Sequence, residues 1–269
     1  MKDRYAVIGN PIAHSKSPLI HDRFAAQTGQ NMRYEAIAAP LDGFAATIQR
    51  LRDEGYKGCN VTVPFKFEAY ALATELTPRA RAAQAVNTLK FEGDTILGDN
   101  TDGAGLVRDI ERNIGVLLEK KRVLLMGAGG ASFGVVLPLL TSHAQLTVVN
   151  RTVTKAQQLA TTFATHAQIA GLGYADLPGL HFDVVINATS TGLTDELAPL
   201  PDDLFAPHAL AYDMMYGRAT PFLNFARHHG AQTADGLGML VEQAAEAFYV
   251  WRGVRPDTAT LLSTLRASL

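Results

Sequence analysis

Two groups of residues in this chain have types and spacings suited to chemistry. The first is spread through the front third and comprises Ser15, Ser17, Thr62, Lys66, Asn87 and Asp102. Ser15 and Ser17 put two hydroxyls near a strand end, a pair suited to a polyhydroxy or carboxylate ligand, because ligands of open α/β sheets collect beyond the carboxyl ends of the strands. The second group begins with the turn Gly127, Ala128, Gly129, Gly130, Ala131 and Ser132. It lies between an apolar run at 123–126 and a helical pattern carrying Val135, Val136, Leu139 and Leu140. Strand, glycine turn and helix cradle a pyrophosphate, since the backbone approaches closely and the helix N-terminus offers unpaired N–H groups. A site for NAD places a carboxylate about 20 residues beyond the first glycine. Here the second strand ends instead in Asn150, Arg151 and Thr152, with Lys155 one turn on. A guanidinium and a hydroxyl bind a ribose 2′-phosphate that a carboxylate would repel, so these residues point to NADP.

Ordinary structural roles compete with these readings. Ser17 precedes Pro18 and suits a helix N-cap with proline in the first turn. Asp102 suits a cap for a helix over 103–113, Lys66 a plain surface position, and Arg151 with Lys155 the solvated start of a helix. Ser15, as a second hydroxyl, and the polar trio Asn60, Thr62 and Lys66 at one strand end are less easily explained that way.

The elements that must position these residues alternate. Residues 5–8 and 32–38 read as strands, and a helix carries Leu19, Ile20 and Phe24 on one face. A second helix carries Leu41, Phe44, Ile48 and Leu51. A strand precedes Pro64, and 85–91 with 95–97 bracket a hairpin, placing Asn87 inside its first strand. After the glycine unit, 182–187 and 209–212 read as strands. The first of these leads into small residues at 188–192 that let a flat cofactor ring lie close. Beyond the hinge at 235–239, a long helix keeps Leu240, Ala244, Ala247, Phe248 and Trp251 on one face, and a final helix carries Leu261, Leu262 and Leu265. Two closing helices with no strand between them are predicted to return to the front domain.

With 269 residues, 47% of them apolar, the chain has core material for two domains. A formal net charge of −2 argues against nucleic acid or a membrane surface as partner. Cys59 is the only cysteine, which leaves no internal disulfide and no cysteine metal cluster. No apolar run is long enough to span a bilayer and none near the start suits a signal peptide, so a cytoplasmic location is expected.

The runs GNP at 9–11, SKSP at 15–18, NVTVPFK at 60–66, AVNT at 85–88, GDNTDG at 98–103, NRT at 150–152, NATS at 187–190 and DGLGM at 235–239, together with the glycine turn, resemble shikimate dehydrogenases nearly end to end. The resemblance implies two α/β domains. Residues 1–102 plus 237–269 would form a substrate-binding and catalytic domain, and 103–236 a Rossmann-type NADP-binding domain, with the active-site cleft between them. It implies reversible NADPH-dependent reduction of 3-dehydroshikimate to shikimate in aromatic amino-acid biosynthesis, with no metal. Lys66 and Asp102 would be the catalytic pair. Ser15 and Ser17 would hold the substrate carboxylate, and Thr62, Asn87, Tyr216 and Gln243 would contact the rest of the substrate. Residues 127–132 would bind the pyrophosphate, Asn150, Arg151, Thr152 and Lys155 the adenosine phosphate. Thr189, Met214, Gly236 and Met239 would border the nicotinamide. Lys155 stands where many members have arginine, and Phe133 where some have a basic residue. The crossings near 102–103 and 236–238 are the expected hinges of closure, and a monomer or homodimer is expected. The nearest alternatives are a quinate/shikimate dehydrogenase that also uses NAD, and an NADP-binding sensor without catalysis.

Overall fold

The structure is a computed structural model that describes residues 2–189 and 196–268. The small residues expected beside the cofactor ring at 190–192 lie outside the described residues. The chain forms two compact units, Met1–Gly105 with Val241–Ser268, and Leu106–Leu240.

The first unit is built on a mixed sheet. Its strands are β1 (Asp3–Gly9), β2 (Met32–Ala38), β3 (Gly58–Val61), β4 (Glu75–Leu76), β5 (Thr88–Glu92) and β6 (Thr95–Asp99), in the order β2-β1-β3-β5-β6-β4. β1 pairs parallel with β2 and β3, whereas β5 runs antiparallel to both β3 and β6. That reversal matters for the site. The start of β5 and the end of β6 come to the same edge as the carboxyl end of β3. Helices α1 (Ser17–Thr28), α2 (Phe44–Asp53), α3 (Lys66–Leu72) and α4 (Pro78–Ala83) connect the strands. One core holds Ile8, Phe44, Ile48, Leu51, Val61, Phe65 and Leu89. The closing helices α9 (Leu237–Arg252, from Val241 onward) and α10 (Ala259–Ala267) belong to this unit. Trp251 donates its indole N–H to the Leu89 carbonyl at 2.9 Å and packs 4.7 Å from the Tyr5 ring.

The second unit holds β7 (Arg122–Met126), β8 (Gln145–Val149), β9 (Ala170–Leu172), β10 (Phe182–Asn187), β11 (Phe205–Asp213) and β12 (Gln232–Asp235). Its order is β12-β11-β10-β7-β8-β9, with every pairing parallel. This is the strand order of a doubly wound dinucleotide fold, whose switch point lies between β7 and β10. Helices α6 (Gly130–Thr141), α7 (Val153–Thr162) and α8 (Pro221–His228) supply crossovers. The helix expected over 103–113 takes two forms. α5 (Asp102–Arg108) continues as a π-helical segment, Asp109–Ile114, around the buried Asp109. The division between units falls inside α5 and inside α9.

His21 sits wholly buried in α1, stacked 4.1 Å from Tyr34. Burial pushes its pKa from 6.5 down to about 3. An unfolded chain therefore takes up a proton at His21 that the folded chain refuses, so stability is full above pH 6.5 and falls as pH drops from 6.5 towards 3. The slope contributed is about 1.4 kcal/mol per pH unit. Thermal unfolding followed by Trp251 fluorescence at stepped pH should show it, and His21→Leu should flatten the slope.

Candidate functional site

In the first unit the polar residues meet at one sheet edge. Thr62 follows β3, and its N–H donates to the Ile8 carbonyl of β1 at 2.9 Å. Lys66 opens α3 and its carbonyl accepts the Val86 N–H at 2.9 Å, which fastens the lysine beside the segment holding Asn87. Lys66 Nζ donates to Asp102 Oδ2 at 2.5 Å, and Asn87 Nδ2 donates to Asp102 Oδ1 at 2.8 Å. The side chains of Lys66 and Asp102 are 19% and 11% exposed, so the pair is sheltered yet reachable. Gln243, from α9, brings its amide oxygen to 3.5 Å from both Asn87 Nδ2 and Thr101 Oγ1.

Several expectations need correction. Lys66 is not a plain surface lysine, and Asp102 spends its carboxylate on Lys66 and Asn87 while Asn100 Oδ1 accepts the Asp102 N–H at 3.2 Å. Asn87 lies just before β5, not within it. Ser17 is not the N-cap of α1. The cap position is Lys16, the Ser17 N–H points at Ser15 Oγ at 3.3 Å, and the Ser17 hydroxyl lies beside that of Tyr34.

The sequence reading missed part of the support. Tyr34 donates to Asn60 Oδ1 at 2.7 Å, and Asn60 Nδ2 donates to the Asn87 carbonyl and to Thr88 Oγ1. The Thr101 N–H donates to Asn87 Oδ1 at 2.9 Å, which fixes which way the Asn87 amide faces and aims its NH₂ at Asp102. Asp99 accepts both Nε and Nη2 of Arg79, at 2.7 and 2.5 Å, along with the Thr77 hydroxyl and the Asn100 N–H. Buried threonines and asparagines next to an apolar strand were the available signal, because each needs a partner there.

In the second unit the candidates lie at the carboxyl edge of the parallel sheet. Gly127 follows β7 with φ +107°, a conformation side chains disfavour, and a Cβ built on Gly129 meets nothing within 4 Å. The turn therefore opens onto free space at the N-terminus of α6, which fits a pyrophosphate. Beyond β8, Arg151, Thr152 and Lys155 are exposed, and neither cation has an ion-pair partner among the described residues. Asn150 Nδ2 is spent on the Thr152 carbonyl at 3.0 Å. The donor set fits a phosphorylated ribose. Beyond β10, Thr189 donates to Asn187 Oδ1 at 2.6 Å, and Asn187 in turn donates to the buried Asp213 at 3.1 Å. The Asn187 carbonyl accepts the Met214 N–H, and the Met215 carbonyl accepts that of Gly236. Thr189, Met214 and Gly236 thus follow three adjacent strands. Tyr216 is half-buried, and burial raises its phenol pKa. Ser132 is buried in α6, with no partner for its hydroxyl among the described residues. Among those residues there is no group of three or more His, Cys, Asp or Glu that could hold a metal ion, and no helix long and apolar enough to cross a membrane.

Residues 7–89 match the family model of the shikimate dehydrogenase substrate binding domain, 109–194 that of shikimate/quinate 5-dehydrogenase, and 236–266 that of the shikimate 5'-dehydrogenase C-terminal domain. The chain is 61% identical to shikimate dehydrogenase (NADP(+)) of Methylobacillus flagellatus, over 99% of this chain and all of that one. The chain belongs to the shikimate dehydrogenase family. A shikimate dehydrogenase (NADP(+)) of Herminiimonas arsenicoxydans is 62% identical over the whole of this chain and 99% of its own. Among solved structures, an Ael1 enzyme from Pseudomonas putida has a TM-score of 0.93 at 50% identity, covering 98% of each chain. Shikimate 5-dehydrogenase from Thermus thermophilus, in complex with NADP(H) and shikimate, has a TM-score of 0.88 at 33% identity, covering 99% of this chain and all of that one.

Proposed function

We propose that this family member catalyses the reversible NADPH-dependent reduction of 3-dehydroshikimate to shikimate, the step of that name in aromatic amino-acid biosynthesis. The observation that carries the reading is the Lys66–Asp102–Asn87 cluster, an amine held on a carboxylate that an amide also grips. Bound NADPH supplies a hydride from its nicotinamide ring. As hydride adds to the carbonyl carbon of the substrate, the π pair moves onto oxygen and the oxygen needs a proton. Lys66, as ammonium, donates it and is left as the amine, then regains a proton from solvent. Asp102 holds Lys66 in place. Asn87, with its amide fixed by Thr101, keeps the carboxylate turned towards Lys66.

In this reading Ser15 and Ser17 take the substrate carboxylate, and Thr62, Asn87, Tyr216 and Gln243 the remaining polar groups. Residues 1–102 with 237–269 act as the substrate domain and 103–236 as the NADP domain. Gly127 to Ala131 take the pyrophosphate. Arg151, Thr152 and Lys155, with Asn150 shaping their turn, take the 2′-phosphate, while Thr189, Met214, Gly236 and Met239 line the nicotinamide. A cytoplasmic monomer or homodimer without nucleic-acid or membrane partners completes the proposal.

The test is the change in reduced-nicotinamide absorbance with shikimate and NADP, run beside quinate and NAD. Turnover with shikimate and NADP is expected. Absence of turnover with folded protein overturns the reading, and equal rates with quinate or NAD would make the chain a broader enzyme. The cofactor preference has its own test. Loss of one charge-assisted contact of about 1.5–3 kcal/mol predicts that Arg151→Ala raises the KM for NADPH by roughly ten- to a hundredfold. The KM for NADH should hardly move, and steady-state kinetics with both cofactors would show it.

A further inference from the structure

One buried carboxylate in the second unit has no part in the proposed proton transfer. Asp109 is 3% exposed and sits at the start of the π-helical segment that continues α5. Its Oδ2 accepts the Tyr212 hydroxyl at 2.7 Å and its Oδ1 accepts Asn113 Nδ2 at 2.8 Å. The third neighbour is the first turn of α9. A Cβ added at Gly238 would fall 1.8 Å from Asp109 Oδ1, so the carboxylate rests against that glycine's bare backbone. The Met239 N–H is directed at the Tyr212 hydroxyl, which thus links β11 to the same helical turn. A carboxylate seated against a helix N-terminus meets both the unpaired N–H groups and the positive end of the dipole.

The turn held this way is not an ordinary one. Met239, given to the nicotinamide side in the reading above, lies in it directly after Gly238. We propose that Asp109 and Tyr212 are positioning residues for hydride transfer, a buried carboxylate–phenol pair that fixes the start of α9 and so sets where Met239 stands. The inference rests on the dehydrogenase reading above and deepens it. A carboxylate is suited to this task because it accepts from several directions at once, and the absence of a side chain at Gly238 is what lets it come so close. Tyr212 is suited because one hydroxyl accepts from the helix while donating to the acid.

The experiment compares the wild-type chain with Tyr212→Phe and Asp109→Asn. Each enzyme is assayed for kcat and for KM towards shikimate and NADP. The primary deuterium isotope effect is measured with shikimate deuterated at the carbon that loses hydride, and thermal midpoints are recorded. Misplacement of reacting groups by about an ångström costs up to a hundredfold. The expected result is a fall in kcat of roughly ten- to a hundredfold with a larger isotope effect, because hydride transfer becomes rate-limiting, while both KM values stay within about threefold. Tyr212→Phe keeps the packed ring, and if it fails to fold then Asp109→Asn, which keeps the volume but turns one of the two acceptors into a donor, carries the same readouts. Unchanged kcat and isotope effect in a folded variant overturn the inference. So does a loss of activity that only follows the folded fraction, with the isotope effect unmoved. A wild-type chain without turnover overturns the dehydrogenase reading itself, whereas active wild type with unaffected variants overturns this inference alone.

Discussion

Lys66→Ala lowers kcat by about 10²–10⁴ and leaves the Michaelis constant for shikimate little changed, the loss expected when a general acid–base group is removed. The geometry argues for both halves of that result. Lys66 Nζ is tied at 2.5 Å to a carboxylate, and no other lysine or arginine among the described residues contacts Asp102 in an ion pair. Substrate binding, by contrast, is spread in the proposal over Ser15, Ser17, Thr62, Asn87 and Gln243, so removal of one amine forfeits little of it. The alanine variant also leaves Asp102 with only the Asn87 amide, which adds a local charge with one partner fewer. Lys66→Arg separates charge from proton donation. It keeps a cation for Asp102 but holds its proton too tightly to give it up. A rate as low as that of the alanine variant is expected. Steady-state kinetics of the two variants decide the matter, and near-normal turnover in either removes Lys66 from the acid–base role.

Asp99→Ala is expected to be the most damaging substitution for stability among the charged groups of the first unit, at about 3 kcal/mol. Asp99 is 2% exposed and accepts four hydrogen bonds, two of them from the Arg79 guanidinium. Removing the acceptor leaves Arg79 with Glu246 alone and strands the Thr77 hydroxyl and the Asn100 N–H. Burial by itself would raise the Asp99 pKa, but the Arg79, Thr77 and Asn100 hydrogen bonds outweigh it and hold the carboxyl below its ordinary value. The sign follows. The folded state favours the carboxylate, so this contribution is complete above the ordinary carboxylate range and is lost as pH falls through the lowered value. Trp251, the single tryptophan, lies in the same unit and reports its unfolding directly. Denaturant titration of Asp99→Ala, with Asp99→Asn as the milder control, should show the loss. It should shrink at acid pH, where wild type loses the same interaction. A midpoint within error of wild type at neutral pH would refute the assignment.

Local pattern and remote contact contributed differently to what could be read early. The glycine unit was legible because strand, turn and helix are contiguous in sequence and each is recognisable from apolar period and glycine placement. The exposed cations beyond β8 are legible because they follow a strand at one fixed distance along the chain. The closing helices were legible because a pattern without a strand has no place in a doubly wound sheet. Ser17 misled, since a serine before proline satisfies the rules of an N-cap, and only the fold shows that Lys16 holds that place. Thr88 and Thr101 carry no local signal, because a threonine in a strand or loop looks the same in sequence whether it is solvated or aims an amide. The π-helical stretch at Asp109 carries no distinct period and reads in the sequence as plain helix.

The sequence by itself determined the family, the two α/β halves, the cofactor class and the identities of the candidate groups, because each is encoded in residue types a few positions apart. Only the tertiary structure decided that Lys66 and Asp102 touch, that Asn87 and Gln243 join them, and that Asp109 seats against Gly238. Those contacts join residues 15 to 156 positions apart, and sheet order and strand direction set them. The antiparallel turn of β5 and β6 delivers Asn87 and Asp102 to the end of β3 where Lys66 begins its helix. No local spacing records that reversal, since it arises from strand pairing and from burying both faces of the sheet.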